Sequence, residues 1–167
     1  MKRRTFITLL AAGSVAACAR PAHATIRGLN MGTSFTVELA APIDDAVRTT
    51  LAELIEVELA AINRAMSTYD PRSELSQFNR RQDFRWAPAS PGLLEVLDSA
   101  SRISTSTHGA FDVTVGPLVD LWGFGPEYRT RRVPDDALIE RARKSVGYQH
   151  LQADPSAGAI RKRDSRI

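Results

Sequence analysis

The sequence predicts an α+β fold. Apolar residues recur at helical spacing over some stretches and alternate with polar residues over others, and the two kinds of stretch are interspersed. They do not follow the regular strand–helix–strand order of a doubly wound sheet. No GxGxxG or GxxxxGK[ST] run occurs, so the two common phosphate-cradling loops are absent from the sequence. At 167 residues the chain is long enough for one domain with a real core.

Lys2-Arg3-Arg4 opens the chain and leads into the apolar stretch from Phe6 to Ala17. Basic residues ahead of a short apolar run mark an export signal, and the run is too short to span a bilayer as a permanent helix. Arg3-Arg4 followed by Thr5-Phe6-Ile7 also fits a twin-arginine signal. Residues 1–24 are therefore assigned to an export signal and residues 25–167 to the body of the protein. Two processing points compete. Ala22-His23-Ala24 has the small-x-small form of a soluble product. Val15-Ala16-Ala17-Cys18 resembles a bacterial lipobox, in which Cys18 would carry a lipid and anchor the chain. Cys18 is the single cysteine, so no intrachain disulfide can form.

The formal charge of +3 belongs largely to this leader. Lys2, Arg3, Arg4 and Arg20 lie in it with no acid beside them, so the body is near neutral. A nucleic-acid surface would need a clustered basic face, and none is present. The later cluster Arg161-Lys162-Arg163 with Arg166 reads as a solvated terminus.

Met31-Gly32-Thr33-Ser34 leads into Phe35-Thr36-Val37-Glu38-Leu39, whose alternation predicts a strand. Pro42 ends it, and Asp44 or Asp45 can cap the next element. Val47, Leu51, Leu54, Ile55, Leu59, Ile62 and Met66 then share one face of a long amphipathic helix, a stripe expected to be ordinary core. Asp70-Pro71 breaks the helix, and Ser73 can cap a short second one. Tyr69, an aromatic at that break, fits either a cleft or plain packing. Ser90-Pro91 starts a third helix, with Leu94, Leu97, Ala100, Ile103 and Ser104 on one face, and Gly109 stops it. Asp135 caps a last helix, with Leu138, Ile139, Ala142 and Val146 buried and Gly147 ending it. His150-Leu151-Gln152 begins a strand. Ala157-Gly158 is a hairpin turn, and Ala159-Ile160 begins the return.

The run from Gly109 to Pro126 differs from an ordinary core strand. Glycines and prolines surround apolar residues and the carboxylates of Asp112 and Asp120, and the run closes in Gly123-Phe124-Gly125-Pro126. Glycine permits close approach of a backbone to a bulky planar ligand, so this run is expected to form a pocket wall.

At these points the chain resembles the first half of an ApbE-type FAD:protein FMN transferase, a periplasmic flavinyltransferase. The resemblance rests on Met31-Gly32-Thr33-Ser34-Phe35, on Met66-Ser67-Thr68-Tyr69 through Ser73-Glu74-Leu75-Ser76-Gln77-Phe78-Asn79, and on Thr107 through Gly125. It covers nearly all of residues 28 to 160. It implies transfer of FMN from FAD to a Thr or Ser hydroxyl of a target protein of an electron-transfer system, with Mg²⁺ and release of AMP. It implies a periplasmic location. The family's nucleotide-contacting positions map here to Met31, Tyr69 and Ala110-Phe111-Asp112. Tyr69 and Met31 offer polarisable faces suited to flat rings. Members are longer and continue into an Asp- and Gly-containing motif with the metal-holding positions. The metal ligands and the catalytic carboxylate are therefore expected outside this chain, which alone is expected not to complete the reaction. Asp112 and Asp120 are not assigned as metal ligands. His23, His108 and His150 are given structural roles only.

Overall fold

The computed structural model describes residues 23–126, 133–164 and 167. The export signal lies outside them up to residue 22, and Cys18 with it. The chain opens with an antiparallel hairpin of β1 (Ala24–Asn30) and β2 (Thr33–Leu39). Pairing of Asn30 with Thr33 leaves Met31-Gly32 as a two-residue loop. Both have positive φ, 51° and 73°, which is the turn that matches the right-handed twist of paired strands.

The sequence predicted β2 and not β1. Gly28 interrupts the pattern of β1, and the register explains why it is there. It faces Phe35, and a Cβ on Gly28 would lie 2.5 Å from the Phe35 ring. Glycine in a strand here marks cross-strand packing rather than a break.

α1 (Asp45–Met66) is the predicted long helix. Asp44 caps it, its carboxylate accepting the Val47 N–H at 2.8 Å. The expectation that its stripe is core is not met. No residue of α1 is buried; Val47, Leu54 and Val57 are exposed, while Leu51, Ile55, Leu59 and Ile62 are half-covered. Helical periodicity shows which residues share a face, not what covers that face.

The core lies on α2 (Glu74–Asn79), α3 (Pro91–Ser106) and a second sheet. Phe78, Ala87, Leu93, Leu94, Leu97 and Ile160 form it, with Met66, Leu75 and Leu151 packed on its rim. Ser73 caps α2 as predicted, its hydroxyl accepting the Ser76 N–H at 3.0 Å. Ser90 caps α3 by position, but its hydroxyl receives no N–H of the helix. Its own N–H instead donates to the Glu74 carboxylate at 2.7 Å, so the start of α3 is tied to the start of α2.

The second sheet has β5 (Ala159–Lys162) between β3 (Ala87–Pro88) and β4 (Leu151–Asp154), all antiparallel. The β4–β5 hairpin is the predicted one. Gly158 has φ 63°, and the Asp154 carboxylate accepts the N–H groups of Ser156 and Ala157 across the turn. At two residues, β3 is too short to leave a periodic signal.

α4 (Gly116–Leu121) and α5 (Asp136–Arg143) pack on each other. The predicted cap of α5 is present, Asp135 accepting the Leu138 N–H at 2.8 Å. Its predicted burial is not. Leu138 is exposed, and Ile139, Ala142 and Val146 are half-buried, because α4 covers only part of this face. α5 also ends at Arg143 rather than at Gly147. Gly147 precedes a 3₁₀ turn (Tyr148–His150) instead, where a Cβ would meet the His150 ring at 2.8 Å.

Lys162 corrects the solvated-terminus expectation. It is 2% exposed, and its Nζ donates to the carbonyls of Asn79 at 2.8 Å and Arg81 at 3.1 Å. The ammonium thus satisfies carbonyls at the end of α2, where a cation is favoured. Burial lowers its pKa, and the Asp83 carboxylate opposes that shift. The unfolded chain therefore holds its proton to higher pH than the folded one. Stability should rise with pH between the lowered folded pKa and the ordinary value of 10.5. Urea midpoints measured over that window should climb for the natural chain relative to Lys162→Met. Parallel curves would show that the ammonium is solvated.

Candidate functional site

Met31 and Tyr69, distant in sequence, line one cavity. It measures about 730 Å³ and is lined by Met31, Gly32, Ile62, Asn63, Met66 and Tyr69, together with the connecting Ser67 and Thr68. Met31 is 59% exposed and Tyr69 71%, so both side chains are open to a ligand.

Each is held by local chemistry. Met31 sits at the hairpin tip at φ 51°, a conformation that costs a residue bearing a side chain. The Asn63 side-chain amide N–H donates to the side-chain oxygen Oδ1 of Asn30 at 2.5 Å, which ties the tip to α1. Tyr69 lies beyond the end of α1. The Ser67 hydroxyl accepts the N–H groups of Tyr69 at 3.2 Å and Asp70 at 3.0 Å. The Ser67 carbonyl accepts the hydroxyls of Ser73 and of Ser76, the latter at 2.9 Å. Ser73 and Ser76 are both buried. A serine cluster therefore pins the Tyr69 loop to α2 while leaving the ring free. Next to it, the backbone N–H and guanidinium of Arg72 hold the Asp70 carboxyl below the usual carboxylate range.

Sequence reasoning placed Met31 and Tyr69 on the ligand and missed the rest of this lining. Ile62 and Met66 were expected to be core, and both face the cavity, Met66 also touching the core rim. Asn30 and Asn63 carried no sequence signal, since a lone asparagine pair has no distinctive spacing.

Ala110, Phe111 and Asp112 lie on a separate segment past α3 and are not among the residues that line this cavity. α3 stops through two left-handed residues, His108 at φ 53° and Gly109 at φ 83°. His108, rather than Gly109, takes the first position after the cap Thr107, and the Gly109 N–H reaches back to the Ser104 carbonyl at 2.9 Å. The Thr107 carbonyl and hydroxyl then accept the N–H groups of Ala110 and Phe111. Both oxygens of Asp112 are engaged, Oδ1 by Thr114 and Oδ2 by the Tyr148 N–H.

The predicted wall is a turn followed by α4, with Phe111, Val113, Val115, Trp122 and Phe124 exposed along it. Gly123 at φ 78° ends α4, and Gly125 lies so close to the Asp120 carboxylate that no side chain fits without displacing it. Among the described residues, no group of three or more His, Cys, Asp or Glu side chains could hold a metal ion. They offer no ready-made cluster of three such ligands for the Mg²⁺ that the resemblance implies.

Fold and site together define an α+β protein with an open, largely apolar cavity between a hairpin tip and the end of a long helix. Residues 31–167 match the ApbE family, and the chain belongs to it. The FAD:protein FMN transferase of Salmonella typhimurium is 39% identical over 140 residues, covering 84% of this chain and 40% of that protein. The Vibrio cholerae protein of the same name is 38% identical over 150 residues, covering 89% and 45%. Among solved structures, the flavin transferase ApbE of Vibrio cholerae matches with a TM-score of 0.77 at 36% identity, over 86% of this chain and 46% of that one. The apo flavinyl transferase ApbE of Pseudomonas stutzeri gives 0.77 at 31%, over 87% and 48%. The chain spans less than half the length of these relatives.

Proposed function

We propose that the chain binds FAD through the Met31–Tyr69 cavity and takes part in moving FMN from FAD to a Thr or Ser hydroxyl of a target protein. The cavity carries the proposal. Its volume falls within the usual range for small-molecule sites, and its lining is mostly apolar with a few placed polar groups. The relatives named above are FAD:protein FMN transferases. In the reaction assigned, the target hydroxyl oxygen bonds to the phosphorus on the FMN side of the pyrophosphate. The bond to AMP breaks, AMP leaves, and the hydroxyl proton passes to solvent. Such transfers depend on positioning and charge neutralisation. Met31 and Tyr69 supply positioning of a flat ring, and no step is routed through the implied cation.

The export signal supports a periplasmic location, and the family resemblance supports a target in an electron-transfer system. Of the two processing points, the lipid-anchored one at Cys18 is favoured. Ala24 is 8% exposed and pairs with Leu39 as the first residue of β1. Cleavage after Ala24 would remove that pair, whereas cleavage before Cys18 keeps it. Mass spectrometry of the membrane-extracted protein tests this through the lipid mass on Cys18.

Titration of FAD with this chain should give saturable quenching of flavin fluorescence, since the isoalloxazine would lie against Tyr69. Absence of saturable binding would overturn the proposal. With Mg²⁺ and a target domain added, flavin that stays on the target after denaturation would extend it to the whole reaction. Binding without transfer would limit this chain to holding the nucleotide.

A further inference from the structure

A second cavity, of about 510 Å³, lies between the last turn of α1, α2 and β3, and it shares no lining residue with the Met31–Tyr69 cavity. Its charged lining is three arginines, Arg64, Arg72 and Arg81, against one acid, Glu74. Glu74 is already engaged, since its Oε1 accepts the Ser90 N–H at 2.7 Å. The Arg64 guanidinium has no ion-pair partner among the described residues. The Arg81 Nε is buried and meets no acceptor among them.

Arg81 is held in place from several sides. Its backbone N–H donates to the Phe78 carbonyl at 3.0 Å, and its own carbonyl accepts the buried Lys162 Nζ at 3.1 Å. Its Nη2 donates to the Asp83 carboxylate at 2.8 Å, and that carboxylate also accepts the Arg85 N–H at 3.0 Å. One edge of the guanidinium is thus oriented while its Nε stays unmet. A buried donor without an acceptor costs free energy, and an anion in the cavity would supply the acceptor. Arginine forks match the oxygens of phosphate. Three guanidiniums less one carboxylate give the lining a formal charge of +2, which a phosphate dianion neutralises. The cavity is also of the size that small molecules occupy. From this geometry we propose that the Arg64–Arg72–Arg81 cavity is a binding site for a phosphate group, free or carried by a small molecule. The site stands apart from the proposed FAD cavity, and its test does not depend on FAD.

The test titrates the full chain, isotope-labelled, with inorganic phosphate, AMP and succinate at constant ionic strength. The readout is the NMR shift of the Arg81 Nε–H, which also gives each affinity. Phosphate and AMP should both move that resonance to saturation, and succinate should bind more weakly. Equal affinities would mark the phosphate group alone as the determinant, and tighter AMP would mark a nucleotide as its carrier. Calorimetry then compares Arg64→Gln, Arg81→Gln and Arg102→Gln. The first two remove a charge-assisted fork and should weaken phosphate about tenfold or more. Arg102, paired with Asp98 at 3.4 Å on α3, lies outside the lining, and its loss should change affinity by no more than about twofold.

If neither phosphate nor AMP gives a saturable shift at the Arg81 Nε–H, the proposal is overturned. Succinate binding as tightly as phosphate overturns it too, since the surface would then attract anions in general. An equal loss of affinity in Arg102→Gln has the same meaning. Arg64 is exposed, so Arg64→Gln should fold even if Arg81→Gln does not. Natural phosphate affinity in Arg64→Gln would by itself sink the site.

Discussion

Tyr69→Ala is expected to weaken FAD binding about tenfold or more and to leave folding stability within about 0.5 kcal/mol. The two halves of that expectation come from different observations. The ring is 71% exposed, so it contributes little to the core. The loop beneath it is held by Ser67, Ser73 and Ser76, none of which needs the ring. A flat ring stacked on an aromatic side chain gains about 1–3 kcal/mol, and 1.4 kcal/mol is tenfold in affinity. Tyr69→Phe keeps the stacking face and should bind FAD within a few-fold of the natural chain. Fluorescence titration with a thermal melt as control decides the matter. Natural affinity in Tyr69→Ala would remove this residue from the site.

Ile160→Ala is expected to cost about 2–5 kcal/mol, a large part of the roughly 5–15 kcal/mol that holds a domain together. Ile160 is 0% exposed, sits on the middle strand of the second sheet and faces Ala87 on one side and Ala153 on the other. It packs with Phe78, Leu93, Leu94 and Leu97, so no single element can collapse into the space left behind. Leu54→Ala, on the open face of α1, removes the same kind of side chain from an exposed site and should change stability by no more than about 0.5 kcal/mol. Chemical denaturation of both variants measures the contrast. Equal losses would mean that the α1 stripe is as buried as Ile160.

The local punctuation of this chain was legible before its fold. Asp44 or Asp45, then Ser73 and Asp135, were expected to cap helices, and Asp44, Ser73 and Asp135 each accept an N–H of the first turn. The Gly158 turn was legible because a hairpin there needs positive φ. These devices act within a few residues, so their signal is contiguous in the sequence. Met31 and Tyr69 were legible differently, through resemblance to a family, and composition alone did not single them out.

Partnership across the chain was not legible. Lys162 looked like one cation of a solvated cluster, and it is buried against carbonyls of residues 79 and 81. Ser90 looked like a self-sufficient cap, and the N–H at that cap is held by Glu74. Thr114 and Tyr148, which no motif paired with Asp112, donate to its carboxylate.

The sequence by itself determined the α+β class, the main helices with most of their caps, the Gly158 hairpin turn and the family. All of these follow from periodicity, short-range hydrogen bonding and contiguous motifs. Only the tertiary structure decided which stripes are covered, which ions are buried and which distant residues share the cavity. Burial and long-range pairing depend on what stands opposite a side chain in space, and a linear pattern of residue types holds no record of its neighbour across the core.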